Sequence, residues 1–224
     1  MRLPYAPLPL LAFVFALGFL LAIVQIGALT IAFDKLGLNT GSAFLLLFAS
    51  LFGSAINLPL ASVTALPTPP PPPEAPVPLK RLLLYQRREF HGRTLIAVNV
   101  GGCLIPIAFS IYLMVHQTLS WMQIFGATAA VTVVSRLISR PIPGLGIGMP
   151  IFIPPIVAAV LSLLINAENS APLAYISGTL GVIIGADLLR LPDIRRLGTA
   201  FASIGGAGTF DGIFITGIVA VLLA

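Results

Sequence analysis

The sequence predicts an all-α, polytopic membrane protein with about seven transmembrane helices and a glycine- and proline-broken or re-entrant segment near residues 141–155. Three observations predict it. The 224-residue chain is 58% hydrophobic and only 8% charged, whereas a soluble domain carries about 25% charged residues. Apolar runs of near-bilayer length recur along the chain, and its basic residues fall on alternate connections between them.

The runs lie near 6–31, 42–64, 95–115, 119–135, 149–166, 172–189 and 200–224. Each approaches the length of about 20 residues that crosses the oil. The first is too long for a cleavable signal core and is preceded only by Arg2, so it reads as an uncleaved span. Of the 12 basic residues, 11 fall in the amino-terminal tail and the second, fourth and sixth connections, and Lys35 alone falls on the other side. Positive residues stay in the cytoplasm. The expected orientation is therefore a cytoplasmic amino terminus and an outer carboxyl terminus.

The expected organisation is a two-helix amino-terminal membrane hairpin (1–66), a cytoplasmic linker (67–93) and a five-helix membrane domain (94–224). The proline run of the linker favours a stiff polyproline II spacer and also offers a docking site for a proline-binding partner. Lys80 to Arg93 read as a short interfacial helix with Leu82, Leu83 and Phe90 dipping into lipid. A net charge of +5, thinly scattered, gives no footprint for nucleic acid. One cysteine, Cys103, excludes an internal disulfide, and His91 with His116 makes no metal-ligand spacing. No cofactor or metal is expected.

Regular helix fails in "SRPIPGLGIGMPIFIPPIVAAV", where Pro141, Pro143, Pro150, Pro154 and Pro155 remove donors. Such backbone survives at membrane depth where protein buries it or it lines a wet cavity; a packed proline kink is the alternative. In the sixth span Gly178, Gly181 and Gly185 form a stripe for close helix contact, and Asp187 lies roughly opposite. Gly205, Gly206 and Gly208 read as a turn, with the last helix starting near Thr209.

Asp187 then ends one span and Asp211 begins the next, at similar depth in the inner leaflet. Two carboxylates in close contact share one proton, giving a base for water and an acid for an amide carbonyl. Leu188, Ile213 and Ile215 can supply an apolar wall that raises the acid's pKa. Asp187 and Asp211 are the candidate catalytic residues. Gly206, Gly208, Asn99, Pro154 and Pro155 are the candidate substrate-binding residues.

An aspartate ending one span, a cytoplasmic loop and a glycine-rich aspartate at the next resembles the intramembrane aspartyl proteases of the presenilin, signal-peptide-peptidase and prepilin-peptidase group. The resemblance covers about 40 residues. It implies catalytic roles for Asp187 and Asp211 and a transmembrane peptide as substrate. That group carries Gly-x-Gly-Asp. Here Gly206-Ala207-Gly208 is followed by Thr209 and Phe210 before Asp211, and Ala186 stands where a tyrosine commonly precedes the first aspartate. Over its whole length the chain, through "RPIPG", "GADLL" and "GGAGTFDGIF", resembles an uncharacterised bacterial and archaeal membrane family. That second resemblance implies a prokaryotic inner-membrane protein.

Other readings stay open. Asp187 can pair with Arg190, Arg136 or Arg140, and Asp211 can cap the last helix. Asn99 can be a helix-packing amide. The chain can be a proton- or cation-coupled transporter with Asp211 as the titratable site, and homo-oligomeric as such. A non-catalytic scaffold built on the linker is the third class.

Overall fold

The computed structural model describes residues 27–66, 92–142, 146–206 and 212–224. Most of the first expected span, the proline-rich linker with Leu82, Leu83 and Phe90, and both Gly208 and Asp211 lie outside the described residues. The described chain is mostly helical, with a small sheet. The elements are α1 (Gly27–Lys35) and α2 (Thr40–Gly53), then β1 (Asn57–Thr64) and β2 (Arg93–Asn99). There follow α3 (Ile105–His116), α4 (Trp121–Ile138), β3 (Arg140–Ile142), β4 (Gly146–Gly148) and α5 (Ile153–Ile165). The chain closes with α6 (Ser170–Val182), β5 (Phe201–Ile204) and α7 (Gly212–Leu223).

The sheet corrects the all-α expectation. Three runs that read as single helices are each part strand. The 42–64 run divides into α2 and β1, 95–115 into the end of β2 and α3, and 200–224 into β5 and α7. The physical reason is local composition. Thr94-Leu-Ile-Ala-Val carries β-branched residues, which pack on a pleated surface, and Gly101-Gly102 ends the strand with backbone rather than side chains. The strand order is β1-β2-β5, with β1 antiparallel and β5 parallel to β2. Strand β1, from before the linker, is thus stitched to β2 after it. Its register shifts between Pro59 and Ala61, and proline lacking a donor belongs on such an edge.

The helices gather around α6, of whose 13 residues 12 are buried. A helix buried all round is a core element rather than a surface one. Gly181 and Gly185 press on α4: a Cβ at Gly181 would stand 2.6 Å from Val131, and one at Gly185 2.4 Å from the Thr132 carbonyl. Gly178 faces Ala158 of α5 and Thr216 of α7 at ordinary contact distance, 3.4 Å. The glycine stripe therefore serves three neighbours, and only its lower part, against α4, requires glycine.

Among the described residues, two helical runs, Trp121–Ile138 and Ser170–Arg196, are long and apolar enough to cross a membrane. There are three if α1 and α2, bent by 111°, form one span. Large apolar side chains also face outward, among them Phe52 on α2 (71% exposed) and Met122 on α4 (85%). Both features are compatible with a membrane protein.

Polar contacts sort the two ends of the bundle. At one end Lys35 Nζ donates to the Val221 and Leu222 carbonyls, Asn169 Nδ2 reaches Thr118 Oγ1, and Ser170 Oγ donates to the Ala224 carbonyl. At the other end Arg190 donates to the Arg136 carbonyl, and Arg195 Nε donates to the Thr64 carbonyl. The expected broken segment is here the β3–β4 hairpin followed by α5, with residues 143–145 outside the described chain. Pro154 and Pro155 are buried in the first turn of α5, where a missing N–H disturbs no helical bond.

Candidate active site

Asp187 closes a π-helical turn, Ile183–Asp187, that continues α6, and a 3-10 segment, Leu188–Arg196, follows. The turn forms where Gly185 meets the backbone of α4, so wide winding and close helix contact coincide. Asp187 is half-buried, and its Oδ2 accepts the Gly205 N–H at 3.0 Å. A backbone donor to a carboxylate is one of the stronger hydrogen bonds.

Arg190 directs its guanidinium elsewhere. Nη1 forms an ion pair with Asp193 Oδ2 at 3.0 Å. Nε donates to Ser139 Oγ at 3.1 Å, and Nη2 donates to the carbonyls of Arg136 and Ser139. The planar fork ties the 3-10 segment to the junction between α4 and β3.

Three breaks in the chain meet one another, and the last of them reaches Asp187 through Gly205. They are the α2–β1 turn, the π-helical turn Val100–Leu104 between β2 and α3, and the turn after β5. Their backbones touch. A Cβ at Gly101 would stand 1.9 Å from the Ser50 carbonyl oxygen, and one at Gly102 1.9 Å from that of Gly205. Asn99, fully buried, joins them. Its Oδ1 accepts the Gly102 N–H at 2.7 Å, and its Nδ2 donates to the Ser54 carbonyl at 2.7 Å and to Asn57 Oδ1 at 3.1 Å. Asn57 Oδ1 also accepts Ser203 Oγ–H at 2.7 Å.

The other sequence-predicted residues distribute as follows. Gly205 and Gly206 take positive φ, 82° and 86°, and make the turn that ends β5. Ile213 is buried in the same apolar cluster as Ile183 and Ala186. Ile215 is half-buried, and Leu188 is 41% exposed and belongs outside that cluster. Pro154 and Pro155 start α5 and make no polar contact with this cluster. Sequence reasoning missed Asn57 and Ser203. Their signal is a single polar residue at the inner end of an apolar strand, "INLP" and "FASI".

Residues 51–223 match the family described as "Protein of unknown function (DUF1614)". The chain belongs to the DUF1614 family. The DUF1614 match takes in the whole sheet, the interval from α3 to the end of α7, and both candidate aspartates. It leaves out α1 and most of α2. No curated protein and no solved structure matches the chain.

Proposed function

We propose that this DUF1614 protein is an intramembrane aspartyl hydrolase acting on a transmembrane peptide. Asp187 and Asp211 share one proton. The ionised carboxylate takes a proton from water as the water oxygen attacks the amide carbonyl carbon, while the acid protonates the carbonyl oxygen. The tetrahedral species then collapses, the C–N bond breaks, and the departing amine receives the proton. The reaction uses two carboxylates and water.

The observation that carries this reading is the Gly205 N–H on Asp187 Oδ2 at 3.0 Å. It brings to Asp187 the start of the glycine segment that reaches Asp211 six residues later. Ile213, two residues beyond Asp211, shares a buried cluster with Ala186, the neighbour of Asp187. A carboxylate at the end of a helix buried all round is a functional suspect on physical grounds. We place the chain in a prokaryotic inner membrane as a multi-pass protein of about seven spans, with Arg136, Arg190 and Arg195 at the cytoplasmic face.

A second reading, a proton- or cation-coupled transporter, is favoured by the meeting of three interrupted segments at one polar point. One reconstitution separates the two. In vesicles containing a single-span peptide, the hydrolase reading expects cleavage that is abolished by Asp187→Asn and by Asp211→Asn separately. Residual cleavage in either variant overturns the dyad. A pH-driven flux lost only with Asp211→Asn establishes the transporter instead.

A further inference from the structure

The polarity of the Asn99–Asn57–Ser203 chain is fixed by backbone groups at one end. The Gly102 N–H can only donate, so the Asn99 atom it meets at 2.7 Å is oxygen. The Ser54 carbonyl can only accept, so the Asn99 atom facing it at 2.7 Å is nitrogen. The second hydrogen on that nitrogen points at Asn57, 3.1 Å away, which must present its own oxygen. The Ser203 hydroxyl, 2.7 Å from that same oxygen, therefore donates to it. No alternative amide orientation satisfies both backbone partners, so the usual ambiguity between amide oxygen and nitrogen does not arise.

This chain ends two residues before Gly205. Ser203 lies in β5, paired with Ala97 of β2, and Ile204 pairs with Val98. Gly205 then turns at φ 82°, and a Cβ there would stand 2.7 Å from both Cβ and N of Cys103. Strand pairing sets the level of this segment, glycine packing sets its closeness, and the Ser203 hydroxyl ties it to Asn57 of β1. Its direction decides where the Gly205 N–H points, and it points at Asp187.

We infer that Ser203 and Asn57 are positioning residues that hold the Gly205 N–H on the Asp187 carboxylate, an inference that rests on the aspartyl-hydrolase reading. Neither touches the carboxylate; both act through the backbone of residues 203–205. A carboxylate held by a fixed donor keeps one rotamer and one oxygen turned towards the reacting groups. Loss of the Ser203 bond releases the segment without opening a cavity, since only a hydroxyl is removed.

The test uses the full-length protein in lipid nanodiscs and compares wild type with Ser203→Ala, Ser203→Thr and Asn57→Ala. The first readout is hydrogen exchange of the Gly205 amide, which needs no catalysis. Exchange should quicken in Ser203→Ala and Asn57→Ala, and return towards wild type in Ser203→Thr, which keeps the hydroxyl. The second readout is peptide cleavage. The kcat of Ser203→Ala should fall about 10- to 100-fold, as small misplacements do, with KM unchanged. The Ser203→Ala/Asn57→Ala double variant should be no worse than Asn57→Ala alone, because that single variant already removes the acceptor of the Ser203 bond along with that of Asn99. Unchanged Gly205 exchange in both alanine variants overturns the inference, as does a kcat that Ser203→Thr fails to restore. A wild type that cleaves nothing overturns the hydrolase reading, and Gly205 exchange still decides the positioning.

Discussion

Gly102 and Gly205 meet backbone to backbone: a Cβ on Gly102 would stand 1.9 Å from the Gly205 carbonyl oxygen. This contact, between the turn after β2 and the turn after β5, sets how closely the two turns pack where Gly205 donates to Asp187. Backbone cannot swing aside as a side-chain tip can. Gly102→Ala should therefore push the two turns apart, costing about 1–3 kcal/mol or more by overpacking. Denaturation in detergent should show the loss, and cleavage should fall with it. A variant as stable as wild type would show that the turns do not touch.

Asn99 satisfies two backbone groups through buried hydrogen bonds. Asn99→Ala leaves the Ser54 carbonyl and the Gly102 N–H without their partner, at about 1–3 kcal/mol for each buried group. Asn99→Asp keeps the acceptor for Gly102 but sets a carboxylate oxygen against the Ser54 carbonyl, so it should not rescue. Thermal unfolding of the two variants, both clearly below wild type, is the expected result.

Legibility followed the length of each apolar run. Helices α4, α5 and α6 overlap the runs expected at 119–135, 149–166 and 172–189, because sustained apolar stretches with clear ends leave few alternatives. Ser120 and Gln123 form a capping box that starts α4 where the run begins. The strands were hidden because a short apolar run reads alike as strand or buried helix. In "INLPLASVT" and "RTLIAVN" the β-branched residues, the edge proline and the terminal asparagine were the available signals. At the site, Asp187 was legible as a lone carboxylate ending a span. Asn57 and Ser203 were not, because their roles depend on β1, β2 and β5 lying side by side, and strand pairing across more than 100 residues leaves no local trace.

Arg190 needs the shape of its side chain as well as its charge. It reaches Asp193, Ser139 and the Arg136 carbonyl from one planar group. Arg190→Lys keeps the charge but offers a single point, and cannot bridge these acceptors. The expected loss is about 1–3 kcal/mol, concentrated where α4 passes into β3. Faster hydrogen exchange over residues 139–142, with little change in α6, is the signature.

The two ends of the bundle give a topology test. In a Cys103→Ser background, a cysteine at position 195 should be labelled by a membrane-impermeant reagent only from the cytoplasmic side. A cysteine at position 35 should be labelled only from outside. Labelling of both from one side would contradict the separation of Lys35 from Arg195 across the bundle.

The central claim is that Asp187 and Asp211 face one another, and proximity measures it most directly. In intact membranes, a full-length Cys103→Ser protein carrying Asp187→Cys and Asp211→Cys is treated with mild oxidant or a short thiol-to-thiol cross-linker, and the digested product is mapped for a 187–211 link. The account expects an intrachain link in high yield, since disulfide geometry demands Cα atoms within about 7 Å and a short linker extends this only modestly. No link, in a protein whose two cysteines each react with a monofunctional reagent, would contradict it.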